Sequence, residues 1–285
     1  MSMNRRKFLK LTGLGLGGAL AMPQTVGASG TKRHTGRHIS MLYDTTKCIG
    51  CNACSNACRD WNHTGPEPSP DGLYDAPQDL SGDTWTIIKV YQGEEGEYSF
   101  VKQQCMHCVD PACTSACPVQ ALEKNDNGAV VYDAARCIGC RYCMVACPFH
   151  IPQFEWGETF PRITKCTLCA DRLAVGDGPR CAEYCPTGAL IWGHWDEMLA
   201  EAERRLAEHP DRYVNHIYGK DDAGGTSVFY LSHVPFEKLG LPNLDPEPHP
   251  ELSNNVATFG TPTALLAVAG FLTGVHWFAK RREEE

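Results

Sequence analysis

The alternation of apolar and polar residues along the chain predicts short elements separated by many turns. Asp196–His209 carries Met198, Leu199, Ala202 and Leu206 at helical spacing, with Glu201 and Arg205 one turn apart, so this segment is expected to be an amphipathic helix. Thr84–Tyr91 and Tyr98–Lys102 alternate around Gly93 and Gly96, the pattern of a hairpin. Gly128–Asp133 reads as a turn and short strand, and Thr226–Leu231 as a strand. Residues 64–83, rich in Pro, Asp and Gly, read as a loop, and Pro242–Pro250 as a stiff linker.

Both ends of the chain carry signals of a different kind. From Val256 to Ala279 there is no Asp, Glu, Lys or Arg. As a helix, Gly260–Ala279 would extend about 30 Å, the thickness of a bilayer core. Thr261 and Pro262 suit its first positions, and Lys280, Arg281 and Arg282 follow it, which places the 280–285 tail in the cytoplasm. A buried core helix is the competing reading, but such helices rarely run this long without a charge. At the N-terminus, Asn4-Arg5-Arg6-Lys7-Phe8-Leu9-Lys10 precedes a mildly apolar, glycine-rich stretch, the form of a twin-arginine export signal over residues 1–28. Cleavage is expected after Ala28, with Ala21 as the second candidate. The string Gly13-Leu14-Gly15-Leu16-Gly17-Gly18 imitates a dinucleotide-binding loop, but no strand precedes it and it lies inside the signal. The two ends together predict a protein on the periplasmic side of the inner membrane, held by a C-terminal helix.

Composition excludes several functions. Hydrophobic residues make up 42% and charged residues 21%, which is globular rather than disordered. A net charge of −8 leaves no broad basic surface for nucleic acid. The outlier is cysteine, with 16 residues, all of which fall into four groups. These are Cys48-x2-Cys51-x2-Cys54-x3-Cys58; Cys105-x2-Cys108-x4-Cys113-x3-Cys117-Pro118; Cys137-x2-Cys140-x2-Cys143-x3-Cys147-Pro148; and Cys166-x2-Cys169-x11-Cys181-x3-Cys185-Pro186.

Three thiols on one tight turn are badly placed for separate disulfides, and a zinc knuckle has no use for the third cysteine or the Cys-Pro ending. The third group is instead the bacterial ferredoxin run, in which three thiolates hold one [4Fe–4S] cube and the fourth reaches a neighbouring cube. Sixteen thiolates then hold four cubes, bringing the loaded chain to a net charge of about −16. An internal repeat predicts the exchange. Cys117-Pro118-Val119-Gln120-Ala121-Leu122 is echoed by Cys185-Pro186-Thr187-Gly188-Ala189-Leu190, and Cys48-Ile49-Gly50-Cys51 by Cys137-Ile138-Gly139-Cys140. Groups two and three form one ferredoxin-like unit (105–147), inserted between the halves of another made by groups one and four. The expected ligand sets are Cys48, Cys51, Cys54 and Cys185; Cys105, Cys108, Cys113 and Cys147; Cys137, Cys140, Cys143 and Cys117; and Cys166, Cys169, Cys181 and Cys58. Backbone amides around Gly50 and Gly139 are expected to offset part of the cluster charge.

The expected fold is α+β. Interleaved two-cluster ferredoxin-like units occupy 41–192, a covering and docking region 193–255, and a single transmembrane helix 256–279. Trp61, Trp156, Trp192 and Trp195 are read as core packing beside the cubes, and His107 and His150 as structural or surface residues. Gly270-x3-Gly274 would allow close helix packing, and His276 is read as interfacial rather than as a haem ligand or part of a quinone site. No open metal position, nucleophile–base pair or nucleotide site is present, so no catalytic residue is expected.

The chain resembles the four-cluster iron–sulfur subunits of bacterial respiratory complexes, among them the beta subunits of membrane formate dehydrogenase and dimethyl sulfoxide reductase and the electron-transfer subunit of hydrogenase-2. The resemblance covers about Met41 to Pro246. Met41-Leu42-Tyr43-Asp44, Gln104-Cys105-Met106-His107-Cys108-Val109-Asp110-Pro111 and Cys140-Arg141-Tyr142-Cys143-Met144-Val145-Ala146-Cys147-Pro148 look most like the hydrogenase-2 subunit. Lys165-Cys166-Thr167-Leu168-Cys169 and Cys185-Pro186-Thr187-Gly188-Ala189 also resemble the formate dehydrogenase subunit. No group has a cysteine replaced by tryptophan, which sets the chain apart from nitrate reductase beta subunits. The resemblance implies an electron wire rather than a catalyst, running between a catalytic subunit of hydrogenase or molybdopterin type and a quinone-linked membrane subunit. The unit of groups one and four is expected on the catalytic side. A self-standing enzyme and a purely structural cluster protein are the competing classes.

Overall fold

The computed structural model describes residues 38–64, 79–93, 96–250 and 259–283. The export-signal reading lies outside the described residues, as do much of the 64–83 loop and the first residues of the 256–279 stretch. In chain order the regular elements are β1 (Ile39–Asp44), α1 (Ala53–Asn62), β2 (Ile87–Gln92), β3 (Tyr98–Gln103), α2 (Ala112–Ser115), β4 (Leu122–Lys124), β5 (Val130–Tyr132), α3 (Tyr142–Ala146), β6 (Gln153–Phe154), β7 (Ile163–Thr164), α4 (Ala170–Leu173), α5 (Arg180–Glu183), β8 (Leu190–His194), α6 (Trp195–Glu208), β9 (Val228–Leu231) and α7 (Thr261–Glu283).

A three-stranded sheet in the order β8-β1-β9 gathers segments from before the first cysteine group and after the fourth. Strand β1 runs antiparallel to β8, with Ile39 opposite His194, and parallel to β9, with Met41 opposite Val228. Sequence periodicity anticipates β9 but not β1 or β8. The reason is visible in the burial: Met41–Asp44 is buried along its whole length, and Ile191–Gly193 of β8 is half-buried on both faces, so neither shows apolar–polar alternation. One face of the sheet, with Leu42, Phe229 and Leu231, packs on Met198 and Ala202 of α6. The other, with Met41, Tyr43, Val228 and Tyr230, packs among Cys54, Cys105, Cys147, Cys166 and Cys181. The sheet therefore separates an apolar helix contact from a cysteine-lined interior.

Helix α6 matches the expected amphipathic segment to within a residue at each end, and its N-terminus is closed by a capping box between His194 and Glu197. Its Arg205 does more than the expected pairing with Glu201 (Nε to Oε1 2.7 Å). Arg205 Nη1 also reaches Oδ2 of Asp44 at 3.0 Å, where the Tyr213 hydroxyl donates to the same oxygen at 2.9 Å. Asp44 has no exposed surface, so this ion pair clamps the helix to the end of β1. The hairpin forms as β2–β3, with Ile87 opposite Gln103, and the short ladder at Leu122–Tyr132 as β4–β5.

Three expectations are corrected. Pro242–Pro250 is not a free linker: Tyr218 donates to the Pro242 carbonyl at 2.7 Å, Ala223 N–H to the Asp245 carbonyl at 2.9 Å, and Leu241 and Leu244 join the main core. Trp61 and Trp156 are not core residues. Trp156 is 67% exposed with the Arg141 guanidinium 5.0 Å above its ring, and Trp61 lies against Arg172 and Arg180 at 4.8 and 5.7 Å, because cation–π contact serves a wet indole as burial serves a dry one. Trp192 and Trp195 are partly buried, the latter edge-on to Phe229 at 5.4 Å. Finally, α7 forms over 23 residues, but among the described residues no helix is long and apolar enough to cross a membrane. Thr263, Gly270, Thr273, Gly274 and His276 dilute its apolar surface, and nothing approaches the places where Gly270 and Gly274 would carry a Cβ.

Arg205→Ala leaves Asp44 buried without its ion-pair partner, an uncompensated charge worth about 3–5 kcal/mol. The expected outcome is a clearly lower urea midpoint for release of the far-UV circular dichroism signal than in the unaltered protein.

Candidate metal centres

The cysteine loops repeat in the backbone as they do in sequence. Gly50 and Gly139 take φ of 69° and 70°, and Asn52 and Arg141 follow at 57° and 62°. His107 and Leu168 occupy the matching left-handed position in groups two and four, at 48° and 56°, and Gln120 and Gly188 that after each Cys-Pro, at 51° and 63°. Such turns cost energy for non-glycine residues and persist where the surroundings require them. At Gly50 a Cβ would lie 2.4 Å from the Phe100 ring, so glycine is demanded by space as well as by φ.

All sixteen cysteines are free thiols. Cys48, Cys51, Cys54 and Cys185 line one cavity together with Tyr43 and Ile88. Cys58, Cys166, Cys169 and Cys181 line a second with Met41, Lys102 and Gln104. Cys117, Cys137, Cys140 and Cys143 line a third with Leu122, Tyr132 and Ile163. Cys105, Cys108, Cys113 and Cys147 are one another's electrostatic neighbours: burial, then Cys147, Cys105 and Cys113, pushes the Cys108 thiol well above its ordinary range. In each set the cysteine after the three-residue gap comes from a different group.

The four sets form a line. Cys181 lies within electrostatic reach of Cys54, Cys166 of Cys105, and Cys113 of Cys143. The order is thus Cys48/51/54/185, Cys58/166/169/181, Cys105/108/113/147, Cys117/137/140/143. The inner sets are the more buried, whereas Cys51 is exposed at one end and Cys117, Cys137 and Cys140 are partly exposed at the other. Backbone donors point at the sulfurs throughout: Gly50 N–H to Cys48 at 3.5 Å, Gly139 to Cys137 at 3.4 Å, Ala121 to Cys117 at 3.2 Å, Leu168 to Cys166 at 3.4 Å and Leu190 to Cys185 at 3.3 Å. These are the amides anticipated around Gly50 and Gly139, extended to the other loops.

Sequence reasoning missed three lysines in this interior. Lys102 is fully buried, Lys165 is 4% exposed, and Lys124 is largely covered. Lys102 is held by Thr86 Oγ1 and Gln104 Oε1, Lys124 by the carbonyls of His107, Cys108 and Gly128, and Lys165 by those of Val130 and Cys166. Their partners are neutral oxygens, so three buried ammonium groups ask for buried negative charge. Among the buried side-chain polar atoms without a partner are a ring donor and an amide donor beside the cysteines. His107 Nδ1 accepts from the Val130 N–H at 2.9 Å, which leaves a proton on the buried, unpartnered Nε2; Gln104 Nε2 is likewise unpartnered. Polyanionic clusters held by thiolates satisfy both demands. Among the described residues no group of three or more His, Cys, Asp or Glu could hold a single metal ion. A zinc ion draws its sulfurs to about 2.3 Å from one centre, whereas a cube carries its thiolates on separate irons. The residues fit cubes.

Burial pushes the Cys113 and Cys181 thiols up to about 12, and those of Cys143, Cys147 and Cys169 to about 11, from an ordinary 9.0. At neutral pH the cluster-free chain keeps them protonated, so loading must expel protons. Because the folded values lie above the unfolded ones, their contribution to stability is complete below about 9 and is lost as pH rises toward 12. An anaerobic alkaline titration followed by circular dichroism is expected to unfold the cluster-free chain across that window.

Residues 96–195 match the 4Fe-4S dicluster domain family. The hydrogenase-2 operon protein HybA of Escherichia coli O157:H7 is 40% identical over 85% of this chain and 85% of its own. The nitrate-inducible formate dehydrogenase iron–sulfur subunit of Escherichia coli K12 is 39% identical over 82% of this chain and 81% of its own. A protein of Nitratidesulfovibrio vulgaris Hildenborough is 41% identical over 99% of this chain and 78% of its own. With four thiolate sets in line and these relatives, the chain belongs to the ferredoxin-type iron–sulfur subunits of bacterial respiratory oxidoreductases, transferring electrons through four [4Fe–4S] clusters.

Proposed function

We propose that this chain is a non-catalytic relay that joins a periplasmic hydrogenase-type catalytic subunit to a quinone-linked membrane subunit. The observation that carries the relay is the line of four thiolate sets, whose inner members are buried while the outer ones reach the surface at opposite ends. When bound, each cube supplies a one-electron couple. The protein holds the cubes in sequence, excludes water from the inner pair and leaves the terminal pair open to partners.

The ligand grouping is part of the proposal. Cys48, Cys51, Cys54 and Cys185 hold the first cube; Cys166, Cys169, Cys181 and Cys58 the second; Cys105, Cys108, Cys113 and Cys147 the third; and Cys137, Cys140, Cys143 and Cys117 the fourth. The shared cavities and the thiol electrostatics support it. At each end the repeat presents an exposed isoleucine beside the cube, Ile49 at 61% and Ile138 at 65%, suited to an apolar contact with a partner. Tyr142, Val145 and Trp156 enlarge the patch beside the fourth cube, and this larger apolar end suits the membrane subunit. The exposed apolar side chains of α7 then seat against that subunit's own helices, on the periplasmic side of the inner membrane to which the paired arginines direct the chain.

The hydrogenase reading is preferred because the named hydrogenase-2 relative and this chain cover one another to the same 85%. A formate dehydrogenase partner is the alternative, raised by the relatives of that name. The complex purified from membranes is expected to contain nickel, and molybdenum or tungsten in its place would establish the alternative. The grouping has its own check by electron paramagnetic resonance. Cys185→Ser is expected to abolish the same reduced-cluster signal as Cys51→Ser and to spare the one lost in Cys169→Ser; the reverse pattern would refute it.

A further inference from the structure

Lys102 stands out among the buried cations. Its side chain crosses from β3 into the wall of the cavity lined by Cys58, Cys166, Cys169 and Cys181. The position is fixed from both sides. The backbone pairs with Ile88 and its carbonyl accepts from the Tyr230 hydroxyl at 2.8 Å, while the ammonium is gripped by Thr86 and Gln104. Gln104, 1% exposed, turns its oxygen to Lys102 and leaves its unpartnered Nε2 in the wall of the same cavity. The sulfurs nearest Lys102 in electrostatic reach are those of Cys181, Cys54, Cys166 and Cys58, three from this cavity and one from the neighbouring outer set.

A cube gains one negative charge when it takes an electron, so a positive charge locked beside it in a poorly polarisable interior favours the reduced form. A hydrogen-bond donor aimed at the cube acts in the same direction. On the ligand grouping proposed above, we infer that Lys102 sets the reduction potential of the inner cube at Cys58, Cys166, Cys169 and Cys181, with Gln104 as its positioning partner and donor. The outer cube at Cys48, Cys51, Cys54 and Cys185 lies against Lys102 through Cys54 alone and is raised less.

The test uses the full-length, anaerobically purified protein, with iron counted per chain and all four couples followed by redox titration under electron paramagnetic resonance. Lys102→Met keeps much of the side-chain length and removes the charge. It is expected to lower one couple at least tenfold in its reduction equilibrium, about 59 mV for one electron, and a second by less, with two unmoved. Lys102→Arg restores both, and Gln104→Leu lowers only the first. A fully loaded Lys102→Met protein with four unchanged couples, or with all four shifted alike, would overturn the inference. If Lys102→Met does not retain its clusters, Gln104→Leu decides, a downshift of one couple supporting the role and no shift ending it. Wild-type protein with fewer than four cubes would instead overturn the grouping, and the inference with it.

Discussion

Buried charge is the constraint on which the rest of this structure depends. Nine of the sixteen thiols are buried, and the main core mixes several of them with Met41, Tyr43, Leu168 and Tyr230 rather than with a continuous aliphatic packing. Three lysines and an orphaned imidazole donor lie among them. Taken without clusters, this is an expensive interior, with ammonium groups out of water and donors unsatisfied. With polyanionic cubes in place the same groups become the compensating shell. Charge, not apolar area alone, holds the ferredoxin-like part together, where β4 to β7 are only two or three residues long.

The three-stranded sheet is one of the ties that close the interrupted unit around the inserted one, beside the bond from Trp61 Nε1 to Asp171 Oδ2 at 2.9 Å. Strand β1 precedes the first cysteine group, β8 follows the fourth, and β9 lies beyond α6, so their pairing joins the two halves of the interrupted unit. One side of β1 touches the thiol interior and the other touches α6, and the Asp44–Arg205–Tyr213 cluster fastens its end. Short, internally repeated cluster loops can thus be rigid without long helices. Their hinge-like left-handed residues are locked from outside, as at Gly50 beneath Phe100.

The line of centres follows from the same interleaving. On the proposed grouping, exchange of the fourth cysteine ties each cube to two loops, and insertion of one unit in the other brings Cys58/166/169/181 and Cys105/108/113/147 together in the middle. The ends of the line come to the surface because each terminal Cys-Ile-Gly-Cys loop has its isoleucine outside. A relay needs both properties, insulation in the middle and access at its ends.

Much of this was legible in residue spacing. The four groups, the internal repeat and the α6 helix are local patterns, and a local pattern is carried by neighbouring residues whatever the distant chain does. The Cys-x2-Cys spacing and the glycine at 50 or 139 specify a turn that wraps a cube, because only that backbone brings amides and sulfurs to one side. Strands β1 and β8, the docking of Pro242–Pro250 and the exposure of Trp61 and Trp156 were not legible. Each depends on what lies across the fold rather than along it. Lys102 shows the difference most clearly: as a lysine near the end of a hairpin it reads as solvated, since strand alternation gives no sign that both Val101 and Lys102 are buried. Spacing alone determined that this chain holds four clusters. Only the tertiary structure decided which charges face them, because electrostatic interaction depends on distance through the interior and not on separation in the chain.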